Sequence, residues 1–128
     1  MLTAAKNAEL IPEWAAYIES DSTREAFLHL VGLAAGLRNF CCHAQRKGEV
    51  RDFRFYRPTT DIQPLALIVN KQSLLFYFRL PAVESSSYSF DELKAQFESA
   101  SENDRGEWKV RLHSDDDVRR LWRYLNIE

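Results

Sequence analysis

Long apolar runs are missing from this 128-residue sequence, and none approaches the roughly 18 residues that cross a bilayer. The opening stretch, "MLTAAKNAELIPEW", lacks the uninterrupted apolar core of a secretory leader, so a cytoplasmic protein is expected. Cysteine is scarce. Cys41 and Cys42 are neighbours; they cannot staple distant segments, and a bridge between them would strain the intervening peptide, so free thiols in a reducing compartment are expected. The four glycines form no phosphate-cradling fingerprint, no Gly-Lys-Ser/Thr occurs, and no serine is framed as a nucleophile elbow. Charge of one sign is also lacking: 17 Lys and Arg against 19 Asp and Glu leave a net of −2. So small an imbalance forces neither nucleic-acid affinity nor an acidic tail, and any charge argument must be local.

What is present is a globular balance, 45% hydrophobic and 28% charged, in a length that fits one domain over residues 1–128. "IPEWAAYIESD" places Pro12 at a first helical turn with Trp14, Tyr17 and Ile18 at helical spacing, predicting a short helix from about Pro12 to Glu19. Ser22 and Glu25 form a capping-box pattern before "AFLHLVGLAAGLRNFCC", where Phe27, Leu30, Val31, Ala34, Leu37 and Cys41 recur every three or four residues. One long helix running through Cys41 and Cys42 is expected. Gly32 and Gly36 are read as places where a neighbouring element approaches closely.

After "KGE" the period becomes two. "RDFRFYRP", "PLALIVN" and "SLLFYFRLP" read as three strands, the last two joined as a hairpin through Asn70 to Ser73, with Asn70 suited to a left-handed turn. "AVESSSYSF" reads as a loop, Ser89 and Glu92 cap a helix carrying Phe90, Leu93 and Phe97, and "EWKVRLHS" alternates as a half-buried strand. Ser114 caps a final helix. Its Asp115, Asp116 and Asp117 suit the positive end of the helix dipole, while Val118, Leu121, Trp122 and Leu125 make its apolar stripe. The expected fold is α+β in the order α-α-β-β-β-α-β-α, with helices packed on a mainly antiparallel four-stranded sheet.

The octapeptide "FCCHAQRK" is the first place to look for chemistry. Adjacent cysteines lack the spacing of paired zinc ligands, and His29 and His113 supply no second pair, so no metal and no cofactor are expected. On a helix Cys41 lies on the apolar face, Cys42 at its edge, and His43 nearly opposite Cys41, which makes a poor nucleophile pair. A redox role for Cys42 rests on His43, Arg46 and Lys47 lowering its thiol pKa. The three aspartates are explained by capping. No catalytic residue is expected.

Charge distribution offers the better lead. From Arg38 to Arg57 six basic residues meet two acidic ones, and from Glu84 to Arg105 the ratio is reversed. A bipolar surface is therefore expected. In "RDFRFYRP", Arg54 and Tyr56 share the face opposite Phe53 and Phe55, a pairing suited to anchoring an acidic protein or to holding phosphates and stacking bases. The candidate binding residues are Arg46, Lys47, Arg51, Arg54, Tyr56 and Arg57; Arg111, Arg119, Arg120 and Arg123 are candidates to extend the region.

"DIQPLALIVNKQSLLFYFRLP" resembles the hairpin of a small bacterial domain of unknown function that occurs alone or beside restriction-type nucleases and predicted transport proteins. "GEWKVRLHSDDDVRRLWRYL" is similar to that domain's closing strand, Ser-acidic-acidic cap and terminal helix. The resemblance spans about residues 53–125. It implies a compact accessory or binding domain in a phage-conflict or mobile-element setting, with no catalytic residues to carry over. The expectation is a non-catalytic module acting through a protein partner. A nucleic-acid-binding module using the Arg38–Arg57 face is the alternative.

Overall fold

The computed structural model describes residues 1–3 and 7–128. Two helices come first, α1 (Leu10–Tyr17) and α2 (Asp21–Ala35). Four strands follow, β1 (Cys41–Lys47), β2 (Val50–Tyr56), β3 (Leu65–Val69) and β4 (Leu74–Phe78). Then come α3 (Leu80–Val83), α4 (Phe90–Gln96), β5 (Ser101–Glu102), β6 (Trp108–Leu112) and α5 (Asp115–Leu125). The strands form one sheet in the order β1-β2-β3-β4-β6-β5, every neighbouring pair antiparallel. The α+β class holds, with six strands where four were expected.

Alternation sorts the sheet into two unlike faces. Phe53, Phe55, Leu65, Leu67, Leu74, Phe76, Phe78, Val110 and Leu112 are buried in one core with Trp14, Phe27 and Leu30 of the first two helices and Val118, Leu121 and Leu125 of α5. The residues between them, among them Arg54, Tyr56, Ile68, Leu75, Tyr77, Lys109 and Arg111, lie on the other face, which no helix among the described residues covers. Ring-to-ring contacts knit the covered side, with Phe55 in edge or tilted contact with Phe40, Phe53, Phe76 and Trp122.

The largest departure from expectation is the octapeptide. The long helix stops at Ala35, and Cys41–Lys47 is a strand paired along its whole length with β2, from Cys41 opposite Tyr56 to Lys47 opposite Val50. Two-residue turn chemistry explains the pairing: Gly48 sits at φ 64, a left-handed conformation cheap only for glycine, and closes the β1–β2 hairpin. A seven-residue ladder outweighs the weak helical spacing of Leu37 and Cys41. The long helix also starts earlier than expected. Ser20, not Ser22, is its cap, accepting from the Thr23 N–H at 3.3 Å, and the Thr23 hydroxyl donates to the Gln72 carbonyl at 2.9 Å, tying the helix start to the β3–β4 hairpin.

Smaller corrections follow the same logic. Helix α1 begins at Leu10 and ends at Tyr17, two residues before the expected end, because Ile18 turns extended. Asn70 is not left-handed; its N–H closes the hairpin on the Ser73 carbonyl at 3.1 Å. The strand expected over "SLLFYFRLP" ends at Phe78, and the short helix α3 takes Leu80 and Pro81 from it together with Ala82 and Val83 of the expected loop; "SENDRG" contains the edge strand β5, with Gly106 at φ 85 in the turn to β6. Ser89 and Ser114 cap α4 and α5 as expected, accepting from the N–H groups of Glu92 and Asp117.

Gly32 does not serve close packing. A Cβ there meets nothing within 4 Å, and at Gly36 it meets only the Leu33 carbonyl oxygen at 3.5 Å. Gly32→Ala is therefore expected to stabilise the protein by roughly 0.5–1 kcal/mol, because alanine removes unfolded-state freedom without a clash. Urea denaturation checks this, and a destabilised variant would show that something does pack against that turn.

Candidate binding face on the uncovered sheet

Strand phase decides where each candidate residue goes. β1 and β2 place Cys41, His43, Gln45 and Lys47 beside Asp52, Arg54 and Tyr56 on the uncovered face, by their register. Cys42, Ala44 and Arg46, with Arg51, Phe53 and Phe55, go to the other. The six sequence candidates therefore separate. Arg46 pairs with Glu13 of α1, the Arg51 guanidinium lies 3.4 Å from the centre of the Tyr17 ring, and Arg57 lies 4.7 Å over Phe40. Lys47, Arg54 and Tyr56 remain together on the uncovered face. Of the possible extensions, Arg111 joins this face, where its guanidinium donates to Ser73 Oγ at 2.8 Å, while Arg119, Arg120 and Arg123 ride on α5.

A hydrogen-bonded network crosses this face from β1 to β6. Tyr56 donates to Gln45 Oε1 at 3.4 Å, and the Gln45 amide reaches Asp52 Oδ2 at 3.5 Å. Arg54 Nε donates to the same Asp52 oxygen at 2.6 Å, and its Nη1 donates to Gln63 Oε1 at 2.6 Å. From the far side Arg79 Nη1 donates to that Gln63 oxygen at 3.2 Å and its Nε to Glu107 Oε2 at 3.2 Å. Asn103 Nδ2 completes the row on Glu107 Oε1 at 3.0 Å, while Asn103 Oδ1 accepts the N–H groups of Arg105 and Glu107 and shapes the β5–β6 turn. The Arg54–Asp52 pair is nearly enclosed, with side chains 11% and 2% exposed. His43 stacks on Tyr56, with centroids 4.8 Å apart and planes 12° from parallel.

Between the two ion pairs lies a hollow of about 280 Å³. Ala66, Ile68 and Tyr77 line it together with Lys47, Asp52, Arg54, Arg79, Asn103, Arg105 and Glu107. Burial by itself would raise the Glu107 carboxyl, but hydrogen bonds from Asn103 and Arg79 and the charges of Arg79 and Arg105 outweigh it and hold the carboxyl below its usual value. Its contribution to stability is then present at neutral pH and is lost as pH falls through that lowered value. Burial pushes the Tyr77 hydroxyl up, helped by Glu107 and opposed by Arg105 and Arg111.

The thiols behave oppositely to the redox expectation. Cys42 is fully buried, and burial pushes its thiol up to about 12, outweighing the N-terminal ammonium that lowers it. Cys41 is half-exposed beside Tyr56. In the folded protein one thiol, Cys41, is expected to react promptly with a colorimetric disulfide reagent at pH 8, and the second only on unfolding, because the thiolate is the reactive form. Two fast thiols would contradict this placement. On a strand Cys41 and His43 share a face, the reverse of their expected separation. Among the described residues no three of His, Cys, Asp or Glu gather as a metal-ligand set, and no helix is long and apolar enough to cross a membrane.

Arg79, Glu107 and Lys109 were absent from the sequence candidates, although alternation in "SLLFYFRLP" and "EWKVRLHS" marks most of them as outward. What the sequence does not display is strand order: β6 lies against β4, which brings residues 105–111 next to 75–79. Asp52, Gln63 and Asn103 carry no signal of their own. No family model, curated protein or solved structure matches the chain.

Proposed function

We propose that the protein is a non-catalytic binding module whose uncovered sheet face docks a protein partner with an acidic surface. One observation carries the reading. Lys47, Arg105 and Lys109 surround Ile68, Leu75 and Tyr77 and have no ion-pair partner among the described residues. Tyrosine and arginine with a small apolar centre and a charged rim is the composition of a protein-docking patch, in which a few anchors hold most of the affinity. Lys47, Arg54 and Tyr56 belong to this patch, and Arg46, Arg51 and Arg57 stand outside it.

Nucleic acid draws less support. Most of the basic residues from Arg38 to Arg57 already hold a carboxylate or an aromatic ring within the chain.

The test compares two charge reversals of equal size in affinity capture from the source cells. Lys47→Glu/Lys109→Glu alters the sheet face, and Arg119→Glu/Arg123→Glu alters α5. A partner held by wild type and by the α5 variant, released by moderate salt and lost from the sheet-face variant, is expected, since rim charges steer acidic partners and are screened by salt. Equal recovery by both variants would sink the reading.

A further inference from the structure

The hollow between the two ion pairs has more definition than a docking face needs. Arg54 and Arg79 are each pinned at two nitrogens: Nε on its own carboxylate, and Nη1 on the single oxygen of Gln63 that both share. That leaves Nη2 of each guanidinium without a hydrogen-bond acceptor among the described residues, and both arginines line one hollow of about 280 Å³. The four inner charges cancel, Arg54 and Arg79 against Asp52 and Glu107. Lys47 and Arg105, also on the lining, add two positive charges at the rim.

From this we infer that the hollow is a carboxylate-recognition pocket, taking the side-chain carboxylate of an aspartate or glutamate from the docked partner between Arg54 and Arg79. The inference rests on the docking reading above and names what that face grips. Planar guanidinium donors match a carboxylate's two oxygens. A carboxylate offers two oxygens to the two guanidinium groups, and the two rim charges exceed its one negative charge, whereas the further oxygens of a phosphate would face the Asp52 and Glu107 carboxylates. Gln63 sets the spacing of the pair, so it is a positioning residue.

The experiment follows the arginine Nε–H signals of the full chain by NMR during titration with sodium propionate, propionamide and inorganic phosphate at constant ionic strength. Propionate is expected to shift the Arg54 and Arg79 signals saturably, and propionamide, the same shape without charge, is expected to leave them in place. Lys47→Gln/Arg105→Gln, which keeps both inner ion pairs, is expected to weaken the propionate response by roughly fivefold or more, the scale of one exposed charge at contact distance. Shifts with propionamide equal to those with propionate, a stronger saturable response to phosphate, or a response that ignores the rim variant would each overturn the pocket. If propionate does nothing while the sheet-face reversal still loses the partner, the pocket fails and the docking face stands. If propionate binds while both reversals retain the partner, the pocket stands and the docking face fails.

Discussion

Arg54→Ala is expected to destabilise the protein by about 3–5 kcal/mol, the cost of leaving a buried carboxylate without its counter-charge. Asp52 is the carboxylate concerned. Its side chain is 2% exposed, its Oδ2 loses the 2.6 Å bond from Arg54 Nε, and only the Gln45 amide at 3.5 Å remains. Its Oδ1 has no hydrogen-bond partner even in the intact protein, so no second contact absorbs the loss. Arg54→Ala also frees Gln63 from one of its two arginines. Asp52→Asn/Arg54→Gln removes both charges together and is expected to recover most of the loss, because a buried pair contributes little net beyond its own desolvation. Arg46→Ala breaks an ion pair whose partners are each about half exposed, 51% and 53%, and is expected to cost no more than ~1 kcal/mol. Urea titrations of these three variants check the account. An Arg54→Ala variant as stable as Arg46→Ala would show that Asp52 is compensated by other means.

The consequence for function is practical. Reversing Arg54 would unfold the sheet face rather than report on binding, so tests of docking belong at Lys47, Arg105 and Lys109, whose charges support no ion pair among the described residues.

Phe55→Ala is the second large effect, at about 3–5 kcal/mol, the range for removing a buried aromatic ring. Phe55 is fully buried near the end of β2, and its ring is 5.5 Å from Phe53, 5.8 Å from Phe76 and 6.3 Å from both Phe40 and Trp122, centre to centre. These four rings come from two strands, the α2–β1 connection and α5, so no single element can collapse into the space. Phe90, half-buried at the start of α4 and in ring contact only with Trp108 among the described residues, is expected to cost clearly less on the same substitution. Equal losses at the two positions would place the weight of the core elsewhere.

Much of the fold was legible because its strands alternate strongly and its later helices carry serine caps. Phe53 and Phe55 against Arg54 and Tyr56 already defined the two faces of β2. The octapeptide misled because Leu37 and Cys41 mimic a helical period for one more turn, while its real partner, β2, lies across a two-residue turn whose only local sign is Gly48. The candidate site was legible in part. Lys47, Arg54 and Tyr56 share a strand phase that the sequence displays, but Arg46, Arg51 and Arg57 joined them only by proximity along the chain, and phase sends all three elsewhere. Arg79 and Glu107 reach Arg54 through strand order and through Gln63, a loop residue with no pattern to announce it. Charge counted along a sequence window mixes the two faces of a strand, and here the mixing hid a face defined by five strands at once.

The most direct test of the docking face is a photo-cross-link made in the source cells. Tyr77→p-benzoylphenylalanine places the probe at the centre of the uncovered sheet, and Leu28→p-benzoylphenylalanine places it on the exposed side of α2. The expected result is a light-dependent cross-link from position 77 to one protein, through a segment rich in aspartate and glutamate, with none from position 28. A cross-link from position 28 and none from position 77 would contradict the assignment of the uncovered sheet as the docking surface.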